Sequence, residues 1–404
     1  MQGLIDWWFE RGRQPRPRLY TTRTHDGWRL ALHRYAPAAR AHATPVMLCH
    51  GMGSNRWDMD GPGRLSLARY LVRRGYDVWV IELRGAGRSM RPHWWNDKRY
   101  DWRFEDYVQH DSRAALRTVL HETGARQVHW VGHSMGGMIA YALLMSPVHH
   151  KIASVVTLGS PTMTKVGHPL LDFGVPYRSL LRYLPPRVLL GTLARIGAPF
   201  APLLQRYLSG TIAELGWHEG NADLPLLRTL MLTAVDDLPA SLLREFARWY
   251  DTRVMSDRYA MFDFTEHLER ITVPLLIIAG SKDGLTPPRD LEIVYKRVAS
   301  RDKAFRIIGT AQGFAHDYSH VDLILGLHAP DDVYPVVLQW LDAHRASKPA
   351  RPVLVAGGRG PRHGRSRERN VVHEHAAGVG PTPLASARLV RVTGRKRYPR
   401  SVPR

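Results

Sequence analysis

Short apolar runs alternate with longer amphipathic stretches along the first part of the chain. These strand-like and helix-like stretches follow one another at 44–49, 65–74, 77–83, 104–122, 128–133, 135–146 and 152–158. Strands that alternate with helices at this spacing predict βαβ units and a mostly parallel, doubly wound α/β sheet with both faces covered. Two more strand-like stretches, within 19–36, flank Asp26-Gly27, which is a typical hairpin turn.

The alternation lapses between residues 162 and 265. This segment is rich in Leu, Pro and Arg and contains helical patches, but it offers no convincing strand. It is too long for a structureless loop in a compact domain, so we interpret it as a helical insertion between the sixth and seventh strands. The strand and helix patterns resume at 273–279, 289–299 and 305–308, and a last helix runs from Asp331 to about Arg345.

The chain therefore divides into four predicted regions. They are a first part of the core at 1–161, a helical insertion at 162–265, a second part of the core at 266–346 and a basic tail at 347–404. The tail is rich in Gly, Pro and Arg without periodicity, and this composition predicts disorder.

The positive charge is concentrated in this tail. The net formal charge of the chain is +21, and residues 347–404 contribute +12 of it through 14 Lys or Arg against Glu368 and Glu374. Such a tail is compatible with weak contacts to anionic lipid or nucleic acid. A non-catalytic protein that binds anionic partners through the tail is therefore one alternative for the function.

Compartment and redox state are indicated by what the sequence lacks. No apolar run approaches the roughly 20 residues that a transmembrane helix needs. The amino terminus lacks the basic start and apolar core of a secretory signal, so we expect a cytoplasmic protein. A single cysteine, Cys49, excludes an internal disulfide framework, and its place inside a strand pattern indicates a small core residue.

The most informative motif is the run Gly132-His133-Ser134-Met135-Gly136, where an apolar strand pattern changes into a helical one. This is the Gly-x-Ser-x-Gly pattern of a nucleophile elbow. The turn forces unfavourable backbone angles on Ser134, and side chains in place of its glycines would collide with the neighbouring strand and helix. The Met135 N–H, at the amino end of the helix, then faces the position of a developing oxyanion. A glycine-rich turn without chemistry is the alternative interpretation.

A serine hydroxyl needs a base to take its proton, and the base needs an acid that fixes its orientation and tautomer. Asp283 lies in a Gly- and Pro-rich turn after a predicted strand, and His320 lies in the loop after the last strand. The chain order Ser134, Asp283, His320 is the order of this type of catalytic triad. His316 is the alternative base, and we prefer His320 because the apolar stretch that follows would anchor it.

Other aspartates and turns compete for the remaining roles. The alternative acids are Asp257, Asp263 and Asp317, and the preferred Asp283 is itself open to a second interpretation, as a cap of the next helix. Met52 lies between two glycines after the 44–49 strand, so we assign its N–H as the second oxyanion donor. Gly53 is one residue away, and an ordinary glycine turn is the alternative there.

Five motifs together resemble those of the α/β-hydrolases. They are His50-Gly51-Met52-Gly53, Arg84-Gly85-Ala86-Gly87-Arg88-Ser89, Gly132-His133-Ser134-Met135-Gly136-Gly137, Gly280-Ser281-Lys282-Asp283 and His320-Val321-Asp322. Within that superfamily, Gly75-Tyr76-Asp77-Val78-Trp79 and the run from His320 to Gly326 are similar to the acid lipases and related esterases. The resemblance implies carboxylic-ester hydrolysis through an acyl-enzyme, with the insertion as a cap over the site.

The chain departs from the acid lipases in one respect, and two other similar groups of enzymes differ from it in their nucleophile. Acid lipases are usually secreted or lysosomal, whereas this chain shows no signal sequence. Polyhydroxyalkanoate synthases are similar around 280–288 but carry cysteine where this chain has Ser134. Epoxide hydrolases and dehalogenases share the layout but use aspartate as the nucleophile.

The sequence therefore predicts a serine hydrolase of the esterase or lipase type that acts on a small acyl ester or a lipid. Its chemistry requires neither a metal nor an organic cofactor. An acyltransferase or a thioesterase with the same triad is a second alternative. For the segment 180–208 we expect an acyl pocket, a lipid-facing surface or a plain packed cap, and for Trp94-Trp95 either substrate contact or packing.

Overall fold

The computed structural model describes residues 9–38, 42–162, 180–203 and 216–345. Its strands, in chain order, are β1 Arg18–Arg23, β2 Arg29–Tyr35, β3 Val46–Cys49, β4 Val78–Glu82, β5 Val128–His133, β6 Ile152–Leu158, β7 Arg187–Val188, β8 Leu238–Pro239, β9 Leu275–Gly280 and β10 Lys303–Ile308. The predictions made for the tail at 347–404 lie outside the described residues.

Eight of these strands form one sheet in the order β1-β2-β4-β3-β5-β6-β9-β10. The β2 strand pairs antiparallel with both β1 and β4, and every other pairing in this sheet is parallel. The predicted mostly parallel sheet is therefore confirmed. The carboxyl ends of β3, β5, β6 and β9 lie side by side at one edge, where the functional loops of an open α/β sheet meet.

The principal helices are α1 Leu67–Val72, α2 Ser112–Thr123, α3 Met135–Leu144, α4 Leu190–Gly197, α5 Leu224–Thr233, α6 Ala240–Thr252, α7 Pro288–Arg297 and α8 Tyr334–Ala343. Shorter helical segments are Arg56–Asp58, Phe104–Asp106, Tyr107–Asp111, Pro147–Lys151, Ala198–Phe200, Leu268–Arg270, Thr310–Gln312, Asp322–Leu325 and Ala329–Asp332. The segment Tyr107–Asp111 is a π-helical turn that interrupts the helix predicted over 104–122. It carries the buried Asp111, which accepts hydrogen bonds from the backbone and the guanidinium of Arg84.

Helices cover the sheet on both faces because its central strands are apolar on both sides. On β4, Trp79 and Ile81 pack into a cluster with α2, α3 and α7, whereas Val78 and Val80 pack into a second cluster with α1 and α8. This two-residue period is the one a strand dictates, and it separates the core into two layers. Cys49 is fully buried at the end of β3, as predicted for a small core residue.

The insertion enters between β6 and β9, the sixth and seventh strands of the large sheet, as predicted. Its described parts contain α4, α5 and α6. They also contain a short antiparallel pair in which Arg187 faces Pro239 and Val188 faces Leu238. The prediction that this segment contains no strand is therefore wrong. These strands were missed because a strand of two residues is too short to show a periodic pattern in the sequence. Residues 163–179 and 204–215 of the predicted cap lie outside the described residues.

Among the described residues, no helix combines the length and the apolar content needed to span a membrane.

Candidate active site

Ser134 lies in the turn between β5 and α3 with φ 51° and ψ −120°, a conformation that non-glycine residues rarely adopt. A Cβ on Gly132 would lie 2.3 Å from the carbonyl carbon of Gly136, and a Cβ on Gly136 would lie 2.2 Å from the Cys49 oxygen. Both collisions expected from the sequence, one with the helix and one with the neighbouring strand, are present. The turn therefore requires glycine on each side of the serine.

The three side chains predicted to form a triad lie in one chain of hydrogen bonds. His320 Nε2 is 2.9 Å from Ser134 Oγ, and His320 Nδ1 is 2.8 Å from Asp283 Oδ2. Because a carboxylate can only accept, the ring proton is on Nδ1, and Nε2 is left to accept from the Ser134 hydroxyl. His320 and Asp283 are both buried, so the imidazole is held between its two partners away from bulk water.

Asp283 is oriented by its own turn. Its Oδ1 accepts hydrogen bonds from the N–H groups of Leu285 and Thr286 at 3.0 and 2.7 Å, and its Oδ2 accepts from Thr286 Oγ1 at 2.6 Å. Asp283 is therefore not the cap of the next helix, which begins at Pro288 with Pro287 as its N-cap. One of its oxygens closes the preceding turn while the other contacts His320. Thr286 was missed by the sequence reasoning, although an aspartate followed three residues later by threonine is a local signal for such a turn.

Gly159, directly after β6, leaves space for the pair of His320 and Asp283. Its φ is +56°, and a Cβ at this position would lie 3.0 Å from His320 Nδ1 and 3.2 Å from Asp283 Oδ2. The Gly-Ser-Pro end of this strand was visible in the sequence but was not assigned to the site. Glycine is required here both by the backbone conformation and by the approach of the imidazole.

The loop after β3 passes directly beside the serine. A Cβ on Gly51 would lie 3.2 Å from the Ser134 Cβ. Met52 follows Gly51 in this loop, and Met135 is the first residue of α3. The two N–H groups predicted to bind an oxyanion therefore belong to the two segments that border Ser134, and their role stays a prediction.

Comparison with known proteins agrees with this geometry. Residues 44–190 match the sequence model of the alpha/beta hydrolase fold. Triacylglycerol lipase 1 of Arabidopsis thaliana is 24% identical over 365 residues, which cover 80% of this chain and 86% of the relative. A solved thermophilic esterase from Thermogutta terrifontis superposes with a TM-score of 0.53 at 18% identity, covering 81% of this chain and 100% of that chain.

The chain has the α/β-hydrolase fold. Lysosomal acid lipase/cholesteryl ester hydrolase of Homo sapiens is also similar, 23% identical over 367 residues that cover 79% of this chain and 86% of the relative. The predicted α/β-hydrolase fold and the predicted resemblance to lipases and esterases are thus confirmed. The cytoplasmic location stays a prediction.

The alternative site residues have other partners in this structure. His316 lies 3.0 Å from Asp332 and stacks on His328 instead of reaching Ser134. Asp317 accepts from Ser281 Oγ and the Thr310 N–H.

The two aspartates of the insertion that competed with Asp283 also have local roles. Asp257 and Asp263 accept the backbone N–H groups of Met261 and Glu266, respectively. All the rejected candidates therefore contact groups outside the triad.

Two aspartates, Asp236 and Asp322, connect the cap to the loops that border the site, and neither connection was predicted. Asp236 Oδ2 accepts from the Gly87 N–H at 2.7 Å and from Asn55 Nδ2 at 3.0 Å, so it joins the cap to the loops after β3 and β4. On the other side, Asp322 Oδ2 accepts from Asn221 Nδ2 at 2.8 Å. Burial raises the pKa of Asp322 to about 7.

Large apolar side chains are exposed on the cap and on the loop after β4. On the cap they are Leu180, Tyr183, Leu189, Leu190, Leu193, Ile196, Phe200, Leu203, Tyr259 and Met261, each at least 43% exposed. Trp94 and Trp95 are 88% and 67% exposed, so simple packing does not explain this tryptophan pair.

Proposed function

We propose that this α/β-hydrolase cleaves carboxylic esters through a covalent acyl-enzyme, with Ser134 as nucleophile, His320 as general base and acid, and Asp283 as the residue that orients His320. The observation that carries the proposal is the hydrogen-bonded chain from Ser134 Oγ through both nitrogens of His320 to Asp283. The curated relatives named above, which are called lipases, support the same reaction class.

Acylation begins when His320 Nε2 takes the proton of the Ser134 hydroxyl as Oγ attacks the ester carbonyl carbon. The carbonyl oxygen becomes an oxyanion, which accepts hydrogen bonds from the N–H groups of Met52 and Met135. The carbon–oxygen bond to the alcohol then breaks, and the His320 imidazolium gives its proton to the leaving alkoxide. The products of this stage are the free alcohol and an acylated Ser134.

Deacylation repeats these steps with water as the nucleophile. His320 Nε2 takes a proton from water as the water oxygen attacks the acyl carbon, and the same two N–H groups bind the oxyanion. Collapse of this intermediate releases the carboxylic acid and returns the proton to Ser134 Oγ. Asp283 remains ionised throughout and stabilises the imidazolium that forms twice in each cycle.

The substrate class follows from the relatives' names and from the surface of the cap. Triacylglycerol and cholesteryl esters occur in the names of the two curated relatives, and both are esters of fatty acids. The exposed apolar side chains of the cap suit a substrate with an acyl chain. We therefore propose an acyl ester or lipid as the substrate.

The test of this proposal is a substrate series assayed with the full-length chain. We expect turnover of p-nitrophenyl esters from acetate to palmitate, and release of fatty acid from emulsified triacylglycerol identifies a lipase. A sharp preference for acetate and butyrate identifies an esterase of small substrates. If no ester in the series is hydrolysed faster than in buffer alone, the proposed function is wrong.

A further inference from the structure

A buried ion pair lies directly beside the triad without belonging to it. His133, the residue before Ser134, places its Nδ1 3.0 Å from Asp58 Oδ2 and its Nε2 3.2 Å from the backbone oxygen of His320. Asp58 and His133 are only 3% and 4% exposed. Neither side chain takes part in the mechanism proposed above.

The partners of His133 determine its protonation state. A carboxylate and a backbone carbonyl can only accept hydrogen bonds, so both ring nitrogens must carry a proton and the side chain is an imidazolium. Burial disfavours this charge, but the Asp58 carboxylate and the His320 carbonyl outweigh burial and hold the pKa of His133 above its usual value. The pKa of Asp58 is correspondingly lowered, since its contacts with His133 and Gly51 outweigh the effect of burial.

The pair connects the three segments on which the proposed chemistry depends. Asp58 Oδ2 also accepts from the Gly51 N–H at 2.9 Å, and Gly51 precedes the proposed oxyanion donor Met52. His133 belongs to the strand that ends at Ser134, and its Nε2 holds the backbone of His320. One carboxylate oxygen and one imidazolium therefore link the loops of the nucleophile, the base and the oxyanion donor.

We propose that Asp58 and His133 are positioning residues of this site, and that the enzyme is fully active only while His133 carries both ring protons. The proposal rests on the proposed function, because it concerns the placement of that triad and oxyanion loop. Without its Nδ1 proton, His133 would face the Asp58 carboxylate with a second acceptor, and the contact with the oxyanion loop would be lost. Without its Nε2 proton, it would face the His320 carbonyl in the same way, and the contact with the loop of the base would be lost.

Other titratable groups lie close to the pair. His50 donates from Nδ1 to the Gly51 oxygen and accepts from the Leu83 N–H at Nε2, so it is neutral. The ring of His320 lies 5.1 Å from that of His133, and Asp283, Tyr334 and the buried Cys49 thiol also interact electrostatically with the pair. Because the pKa of His133 is raised by folding, its contacts are complete at low pH and are lost as pH rises through that raised value.

The test compares kcat and KM of His133→Gln and Asp58→Asn with those of the wild-type chain on p-nitrophenyl butyrate. We expect kcat to fall on the order of 10²-fold, as for a displacement of about 1 Å at a reacting centre, with KM within about threefold of wild type. The double variant should lose little more than either single variant, since the two side chains act as one unit. The matched control is His129→Gln, a buried histidine on the same strand that contacts Ser154, and it should retain wild-type kcat.

The second readout is the pH profile of kcat, which a merely structural pair would not change. Wild-type kcat should fall at high pH through one ionisation, and this alkaline limb should be absent from His133→Gln. A wild-type profile that stays flat to high pH overturns the proposal without any variant, so the test holds even if His133→Gln fails to fold. Wild-type kcat in a folded His133→Gln with a lower melting temperature also overturns it, and shows a structural role only.

The two proposals fail in distinguishable ways. If the wild-type chain hydrolyses no ester, the proposed function fails and this inference fails with it. If wild-type hydrolysis depends on Ser134 but not on His133, only the positioning role is wrong.

Discussion

The Ser134→Ala variant is expected to lose on the order of 10⁶-fold in kcat on p-nitrophenyl esters, because the triad acts as a unit and alanine provides no nucleophile. Folding should be unaffected, since among the described residues the Ser134 hydroxyl forms a hydrogen bond with His320 only. The measurement is steady-state turnover, with near-UV circular dichroism to verify that the variant is folded.

The matched control for this variant is Ser146→Ala, which removes a hydroxyl beyond the opposite end of α3. Ser146 Oγ donates to the backbone oxygen of Leu143 and lies outside the candidate site. Turnover by Ser146→Ala should equal that of the wild-type chain. Ester hydrolysis by Ser134→Ala at more than a few per cent of the wild-type rate would contradict the assignment of the nucleophile.

The Asp283→Asn variant should lose about 10⁴-fold in kcat, the loss expected when the base of such a triad is held in the wrong tautomer. The asparagine oxygen can still accept from the N–H groups of Leu285 and Thr286, so its NH₂ group faces His320 Nδ1. The ring proton then moves to Nε2, and His320 can no longer take the proton of Ser134. The measurement is kcat at neutral pH, together with a thermal melt.

The matched control for the Asp283→Asn variant is Asp263→Asn, which changes an aspartate of the insertion that was a rejected candidate for the acid. Asp263 accepts the Glu266 N–H and has no contact with His320 among the described residues. Its replacement should leave kcat unchanged. Equal losses in the two variants would mean that the Asp283 effect is not specific to the orientation of the base.

Much of the site was predictable because its signals are local in the sequence. The elbow glycines, the strand end at Asp283 and the apolar run after His320 each follow from a few neighbouring residues. The order of these elements along the chain is enough to bring them to one edge of a parallel sheet. The same locality explains why helix and strand boundaries differ from prediction by only a few residues.

The contacts that were missed join segments far apart in the chain. Asp58 meets His133 across 75 residues, and Asp236 meets Gly87 across 149 residues. No pattern within either segment indicates its partner, and a lone aspartate in a loop has many possible roles. The β7 and β8 pair was missed for the same reason, since its two strands are each two residues long and are separated by α4 and α5.

The most direct measurement of the central claim is the labelling of the full-length chain with a fluorophosphonate, followed by peptide mass spectrometry. The proposed triad of Ser134, His320 and Asp283 predicts one adduct, on the peptide that contains Ser134. The adduct should form at the same rate as ester hydrolysis is lost, and its formation should be strongly slowed in His320→Gln. An adduct on a different serine that inactivates the enzyme, or labelling of Ser134 at the same rate without His320, would contradict it.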